Sequence, residues 1–187
     1  GGTRRFISKT KDYLPDGIDV VSINTSYSPS EACAVRYDES SGIWCMAAKV
    51  YGVSYSWATK DPINGPWTEK IIQSSNTSID FGDMYCYNGT WVAIGGYYKR
   101  TSQYSSEGAS YVWVTTDPIN GSWTQYDLKS TYGFYNAMEA HVHCYNGTWV
   151  IALTIVPQFV SGSNNNGNQL WIYTATNPTG TWTGKKI

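Results

Sequence analysis

The sequence predicts an all-β protein: a β-propeller of four-stranded antiparallel blades, about three and a half of them in this chain. Three observations carry that reading. A turn phrase, Asp61-Pro62-Ile63-Asn64-Gly65-Pro66-Trp67-Thr68, returns as Asp117-Pro118-Ile119-Asn120-Gly121-Ser122-Trp123-Thr124. It returns again, one residue shorter, as Asn177-Pro178-Thr179-Gly180-Thr181-Trp182-Thr183, so that its tryptophans are spaced by 56 and then 59 residues. A second phrase alternates with it at a similar period, Tyr87-Asn88-Gly89-Thr90-Trp91-Val92 and then Tyr145-Asn146-Gly147-Thr148-Trp149-Val150. Between the phrases run short β-branched and aromatic segments closed by Gly, Asn, Asp or Pro, with no helical periodicity. Four such segments per repeat, at a period of roughly 50–58 residues, mark the blades of a propeller.

Taken in order, residues 3–23 read as two strands around Pro15-Asp16-Gly17, a worn half blade without the tryptophan. The first full blade spans 31–72, with strands at Ala32 to Tyr37, Ile43 to Val50, Val53 to Thr59 and Trp67 to Ile72. The second spans 81–128, with strands at Met84 to Tyr87, Trp91 to Tyr98, Tyr111 to Thr115 and Trp123 to Leu128. The third spans 139–187, with strands at Ala140 to Tyr145, Trp149 to Val156, Leu170 to Thr174 and Trp182 to Lys186. The Asn-Gly pairs suit tight hairpins, because both central positions of such a turn need positive φ. In the proline phrase Pro presets φ and Gly turns the chain back. Two polar loops, Lys99 to Ser110 and Pro157 to Asn168, fall in the same slot of consecutive blades and therefore on one face, often the binding face of repeat proteins.

Closed propellers have about 4–8 blades, so three and a half leaves closure open. The chain is a piece of a larger propeller, or copies close a ring together (two giving seven blades), or a small irregular ring closes within the chain. Assembly or truncation is favoured, because an open stack leaves edges and half-covered blades exposed.

Composition narrows the function. Charged residues are 14% of the 187 and the net charge is −1, which gives no basic footprint for nucleic acid. No apolar run approaches the ~18 residues of a membrane span. Cys86 and Cys144 occupy equivalent positions in two blades, and Cys33 and Cys45 sit in β-rich runs; buried free thiols are expected rather than bridges. No phosphate loop, nucleophile elbow or Cys-x-x-Cys appears, and no cofactor is expected. His141-x-His143 puts two imidazoles on one strand face, too few for a metal site without a third ligand. The sequons at Asn88, Asn120 and Asn146 coincide with Asn-Gly turns, and turn chemistry accounts for them; others stand at Asn24 and Asn76.

Two resemblances follow from the phrases. Thr115-Thr116-Asp117-Pro118-Ile119-Asn120-Gly121-Ser122-Trp123 resembles an expanded Asp-box of sialidase-type propellers, where the box is a structural turn. Ser56-Trp57-Ala58-Thr59-Lys60-Asp61-Pro62 with Gly65-Pro66-Trp67-Thr68 is similar to the blade ends of five-bladed arabinanase/xylosidase-type glycoside hydrolases. So are Ile79-Asp80-Phe81 ahead of Tyr87-Asn88-Gly89-Thr90-Trp91, and Glu139-Ala140-His141-Val142-His143 ahead of Asn146-Gly147-Thr148-Trp149. That resemblance implies Glu139 as general acid and Asp80 as the carboxylate that orients and tunes it, with the base on a blade ahead of residue 1. Such a pair fits glycosidic hydrolysis, which needs a protonated carboxyl at the leaving oxygen and a second carboxylate across the ring. Glu139-Ala140 also aligns internally with Glu31-Ala32, which favours Glu139 as a repeat-position carboxylate, and Asp80 with Asp83 as a connection and strand start.

The aromatics support a different function. Nine Trp and sixteen Tyr exceed what a core of this size uses. Tyr97, Tyr98, Tyr104, Tyr132 and Tyr135 cluster in and beside loops, and with His141 and His143 they form the candidate ligand-binding set. Rings with a flat apolar face and a polar tip suit sugars and protein surfaces. The leading expectation is a recognition module, lectin-like or of the virion-attachment type, that binds a glycan or cell-surface ligand outside the cell or on a virion. The alternatives are the glycoside hydrolase with Glu139 as acid, and a structural protein that assembles as a homo-oligomer.

Overall fold

The computed structural model describes residues 34–50, 53–73, 79–100, 106–128, 137–155 and 169–187. They form twelve strands in three antiparallel sheets of four, each a meander in chain order. Sheet 1 holds β1 (Ala34–Asp38), β2 (Ile43–Val50), β3 (Val53–Thr59) and β4 (Thr68–Gln73). Sheet 2 holds β5 (Ile79–Tyr87), β6 (Thr90–Arg100), β7 (Ser106–Thr115) and β8 (Thr124–Asp127). Sheet 3 holds β9 (Ala137–Tyr145), β10 (Thr148–Ile155), β11 (Gln169–Ala175) and β12 (Thr183–Lys186). Their first strands are neighbours, with β5 lying between β1 and β9. These are the three full blades expected from the repeats; the half blade expected at 3–23 lies outside the described residues.

The turns form for the local reasons read from the phrases. Asn88 and Asn146 take φ of 48°, and Gly89 and Gly147 take 73° and 76°, the two consecutive left-handed positions a tight hairpin requires. In the proline phrase the Asp61 carboxylate accepts the N–H groups of Ile63 and Asn64, and Asp117 accepts those of Ile119 and Asn120. Thr59 and Thr115 close the other side, each hydroxyl accepting the N–H of its aspartate. In the third, shorter copy, Asn177 Oδ1 accepts the N–H of Thr179. A side-chain oxygen that satisfies the turn's donors, two amides in each Asp copy and one amide with the Thr179 hydroxyl in the Asn copy, is why Asp or Asn heads every copy.

The core lies between sheets. One cluster joins Cys45, Ala47 and Ala58 of sheet 1 to Met84, Trp91 and Trp113 of sheet 2. A second joins Val92, Ile94 and Val112 of sheet 2 to Trp149, Ile151 and Leu153 of sheet 3. Burying side chains of this size contributes about 1.5–3 kcal/mol each, so the stacking of sheets holds the fold. The phrase tryptophans lean backward along the chain. Trp123 packs against the cluster shared by sheets 1 and 2, and its Nε1 donates to Ser56 Oγ of sheet 1 at 2.9 Å. Trp182 packs against the cluster shared by sheets 2 and 3.

Two expectations change. Strands β5 and β9 begin earlier than the hydrophobic pattern suggests, at Ile79 and Ala137, so Asp80 and Glu139 stand within strands. The loop expected at Lys99 to Ser110 is mostly a hairpin, because β6 and β7 stay paired through Tyr98↔Gly108, Lys99↔Glu107 and Arg100↔Ser106. Ladder hydrogen bonds carry these polar residues, and backbone pairing leaves no hydrophobic alternation for a sequence reading to detect.

Cys45, Cys86 and Cys144 are free thiols, as expected, and Cys33 lies outside the described residues. Burial raises all three above the ordinary thiol range; Cys86 is pushed to about 12 by burial and then by the charge of Asp38. Thiols held neutral in this way are packing groups rather than nucleophiles.

Candidate functional site

The neighbouring first strands gather the polar residues. Asp83 on β5 is their centre. Its Oδ1 accepts Nη2 of Arg36 from β1 at 2.7 Å and the N–H of Met84 at 2.8 Å. Its Oδ2 accepts the backbone N–H of Val142 on β9 at 3.3 Å, with His141 Nδ1 3.7 Å away. Both oxygens of a buried carboxylate are thus occupied by donors from three sheets. Asp83 thus joins the blades, each of its oxygens engaged by a donor from a neighbouring strand.

A second contact between the same strands is made by backbone. A Cβ on Gly82 would lie 2.8 Å from the carbonyl oxygen of Ala140 and 3.0 Å from its Cβ, so β5 and β9 approach here as only glycine permits. Gly82 is also where β5 bulges against β6: Phe81 pairs with Gly95 and Asp83 with Ile94. Asp80 lies two residues before this contact, paired with Gly96. Glu139 lies one residue before it on β9, between Ala137 and Ala140, which pair with Ile155 and Leu153 across a second irregularity. The backbone therefore brings the two sequence-nominated carboxylates to the same end of adjacent strands. Tyr97, paired with Ile79, and Tyr98, paired with Gly108, stand at that end of sheet 2, where the β6–β7 hairpin extends.

The histidines do not share a ligand. His141 is largely exposed beside Asp83, while the His143 ring lies 4.2 Å from the ring of Tyr85 on β5. Among the described residues no group of three or more His, Cys, Asp or Glu is placed to hold a metal ion. Tyr104, Tyr132 and Tyr135 lie outside the described residues. Sequence reasoning missed the bond from Arg36 to Asp83 and the ring contact of Tyr85. Repeat alignment carried no signal for them, since Arg36, Tyr85 and His143 occupy equivalent registers as three different residue types.

No family model matches the chain, and no curated protein matches it in sequence. Solved structures do match in fold. A GH32 β-fructofuranosidase of Bombyx mori, a mutant in complex with sucrose, superposes with a TM-score of 0.54 at 10% identity, covering 84% of this chain and 36% of that one. The α-L-arabinanase of Cellvibrio cellulosa complexed with arabinohexaose gives 0.52 at 11%, covering 89% and 62%. The xyloglucan PUL protein GH43B of Bacteroides ovatus gives 0.50 at 15%, covering 83% and 28%. The chain thus spans between about a quarter and three fifths of the length of these proteins. At such identities the likeness establishes the fold: three blades of a β-propeller, of the architecture found in glycoside hydrolases.

Proposed function

We infer that the chain carries part of a glycoside-hydrolysing site at the end of the propeller where β5 and β9 begin. Glu139 acts there as general acid, Asp80 tunes it, and Tyr97 and Tyr98, successive residues of β6, contribute sugar contacts from opposite faces of that strand. The observation that carries this reading is the placement of Asp80 and Glu139 at the same end of two neighbouring strands, next to the glycine-enforced contact of Gly82 with Ala140.

The chemistry follows from the pairing. In this reading Glu139 is the protonated carboxyl that glycosidic hydrolysis requires, and Asp80 is the carboxylate that orients it. That proton passes to the glycosidic oxygen as its bond to the anomeric carbon breaks, and water completes the hydrolysis. The fold neighbours, solved in complex with sucrose and with arabinohexaose, favour this reading over the lectin-like or virion-attachment one that the tyrosine-rich segments suggested.

The test is release of sugar or aglycone from a panel of aryl arabinofuranosides, xylosides and fructosides, with sucrose. Hydrolysis that falls at least a hundredfold in Glu139→Gln, with binding retained, is the expected result. Activity indifferent to that substitution overturns the assignment. Glycan binding with no turnover in the wild-type chain returns the recognition reading to first place.

A further inference from the structure

Two buried polar side chains of sheet 1 belong to neither the turns nor the bond between Arg36 and Asp83. Lys49 on β2 is 7% exposed and Ser54 on β3 is 0% exposed, and the register sets them directly opposite each other. Ser54 Oγ is buried with no hydrogen-bond partner among the described residues. A hydroxyl left in that state costs about 1–3 kcal/mol, which an alanine at the same position would avoid.

The repeat does not call for the charge. Counted from Trp44, Trp91 and Trp149, Lys49 holds the register of Gly96 in sheet 2 and Thr154 in sheet 3. The lysine is therefore peculiar to sheet 1. Its level is informative, because Gly96 is the residue with which Asp80 pairs. Lys49 thus stands in sheet 1 at the depth that Asp80 has in sheet 2.

The alternation of each strand says which way the two residues face. On β2, Cys45 and Ala47 lie in the cluster shared with sheet 2, whereas Met46, Ala48 and Val50 lie in the other one, so Lys49 falls on the side of sheet 2. On β3, Ser54 has the parity of Ser56, which receives the Trp123 indole of sheet 2, and of Ala58. Both strands touch β5. Lys49 and Ser54 therefore face the junction of sheets 1 and 2, at the end of the propeller where Asp80 and Glu139 stand.

An ammonium has three donors and no acceptor, and Ser54 adds a donor that is not committed. Adjacent donors carrying one positive charge match an acceptor-only monoanion, a carboxylate, each of whose oxygens takes one of them. The three donors of the ammonium let it hold such a group together with an acceptor of the protein. A phosphate group, with about two negative charges, asks for more positive charge than one lysine supplies.

We propose that Lys49 and Ser54 form a subsite for the carboxylate of an acidic sugar, a uronic acid residue of the bound glycan. Lys49 donates to one carboxylate oxygen and Ser54 to the other. The inference rests on the hydrolytic reading for the presence of a glycan at that end, and it narrows the substrate class to acidic polysaccharides.

The test is calorimetric titration of the chain with methyl β-D-glucuronide and methyl α-D-galacturonide, each beside the neutral glycoside that differs from it only at C6. One uronide is expected to bind about tenfold tighter than its neutral counterpart at low salt. In Lys49→Met, which keeps the length of the side chain and removes its charge, that preference is expected to vanish. In Ser54→Ala it is expected to weaken with no fall in melting temperature, because the hydroxyl has no protein bond to lose. Should Lys49→Met not fold, Ser54→Ala carries the test alone. A wild-type chain with no preference for either uronide overturns the proposal, as does a preference untouched by the substitutions. Acetate or inorganic phosphate binding as tightly as the uronide shows an adventitious anion site only and also overturns it. A uronide preference that depends on Lys49, in a chain that hydrolyses no aryl glycoside, upholds the subsite and sinks the hydrolytic reading. Hydrolysis without the preference does the reverse.

Discussion

Arg36 Nη2 donates to Asp83 Oδ1 at 2.7 Å across 47 residues of sequence, and the other oxygen of that carboxylate accepts the N–H of Val142. One side chain on β5 thereby fastens the strand on each side of it. Asp83→Ala leaves a guanidinium and two backbone N–H groups without their acceptor and is expected to cost about 2–4 kcal/mol. Arg36→Met is expected to cost about 1 kcal/mol, because the arginine is more than a third exposed and water screens its charge. Urea midpoints at constant m-value measure both. A loss below about 1 kcal/mol for Asp83→Ala would show that apolar packing alone sets the blade arrangement.

The phrase tryptophans differ in what they bond, and removing the indole nitrogen separates them. Trp123→Phe breaks the bond to Ser56 Oγ and is expected to cost about 1–2 kcal/mol, whereas Trp67→Phe discards an N–H that has no partner and costs less. A double-mutant cycle of Trp123→Phe with Ser56→Ala is expected to show about 1 kcal/mol of coupling. Equal losses at Trp67 and Trp123 would contradict the assignment.

Acid sensitivity is expected to come from the turns. The N–H groups of Asn64 and Asn120, with those of Ile63 and Ile119, hold the Asp61 and Asp117 carboxyls below their ordinary range. At Asp38 burial opposes the charge, but the Ser41 and Ser40 hydroxyls and backbone outweigh it and the net shift is also downward. A depressed folded-state pKa contributes stability that is complete above the unfolded value, about 3.9, and is lost as pH falls through the folded one. The melting temperature is therefore expected to be level from pH 7 to about 5 and to fall below about 4. Asn177 shows that an amide oxygen can serve the same turn without titrating, so Asp61→Asn with Asp117→Asn should flatten the decline. A double variant as acid-labile as the wild type would place the titrating groups elsewhere.

Gly82→Ala tests the strand approach on which the proposed site depends. The added Cβ would meet backbone at 2.8 Å, which forces β5 and β9 apart and is expected to cost about 1–3 kcal/mol. Because Asp80 and Glu139 flank that contact, hydrolysis is expected to drop more in Gly82→Ala than in an equally destabilised Arg36→Met, measured below both melting points. Equal rates in the two variants would separate the contact from the site.

By itself the sequence determined the repeat, the four strands per blade and the turns that divide them. Those features follow local rules: an Asn-Gly pair needs two positive φ values, and an Asp or Asn heading a proline turn satisfies its own amides. The carboxylates at 80 and 139 were legible as residues, but their place inside strands was not, since polar strand ends carry no hydrophobic alternation. Only the tertiary structure decided that Trp123 leans back onto the preceding sheet and that Asp83 is consumed in joining three blades. It also decided that Gly82 draws β5 against β9. The physical reason is that these contacts lie between sheets. They pair residues about 50–70 positions apart, and they pair different residue types at equivalent registers, so neither local propensity nor the repeat itself encodes them.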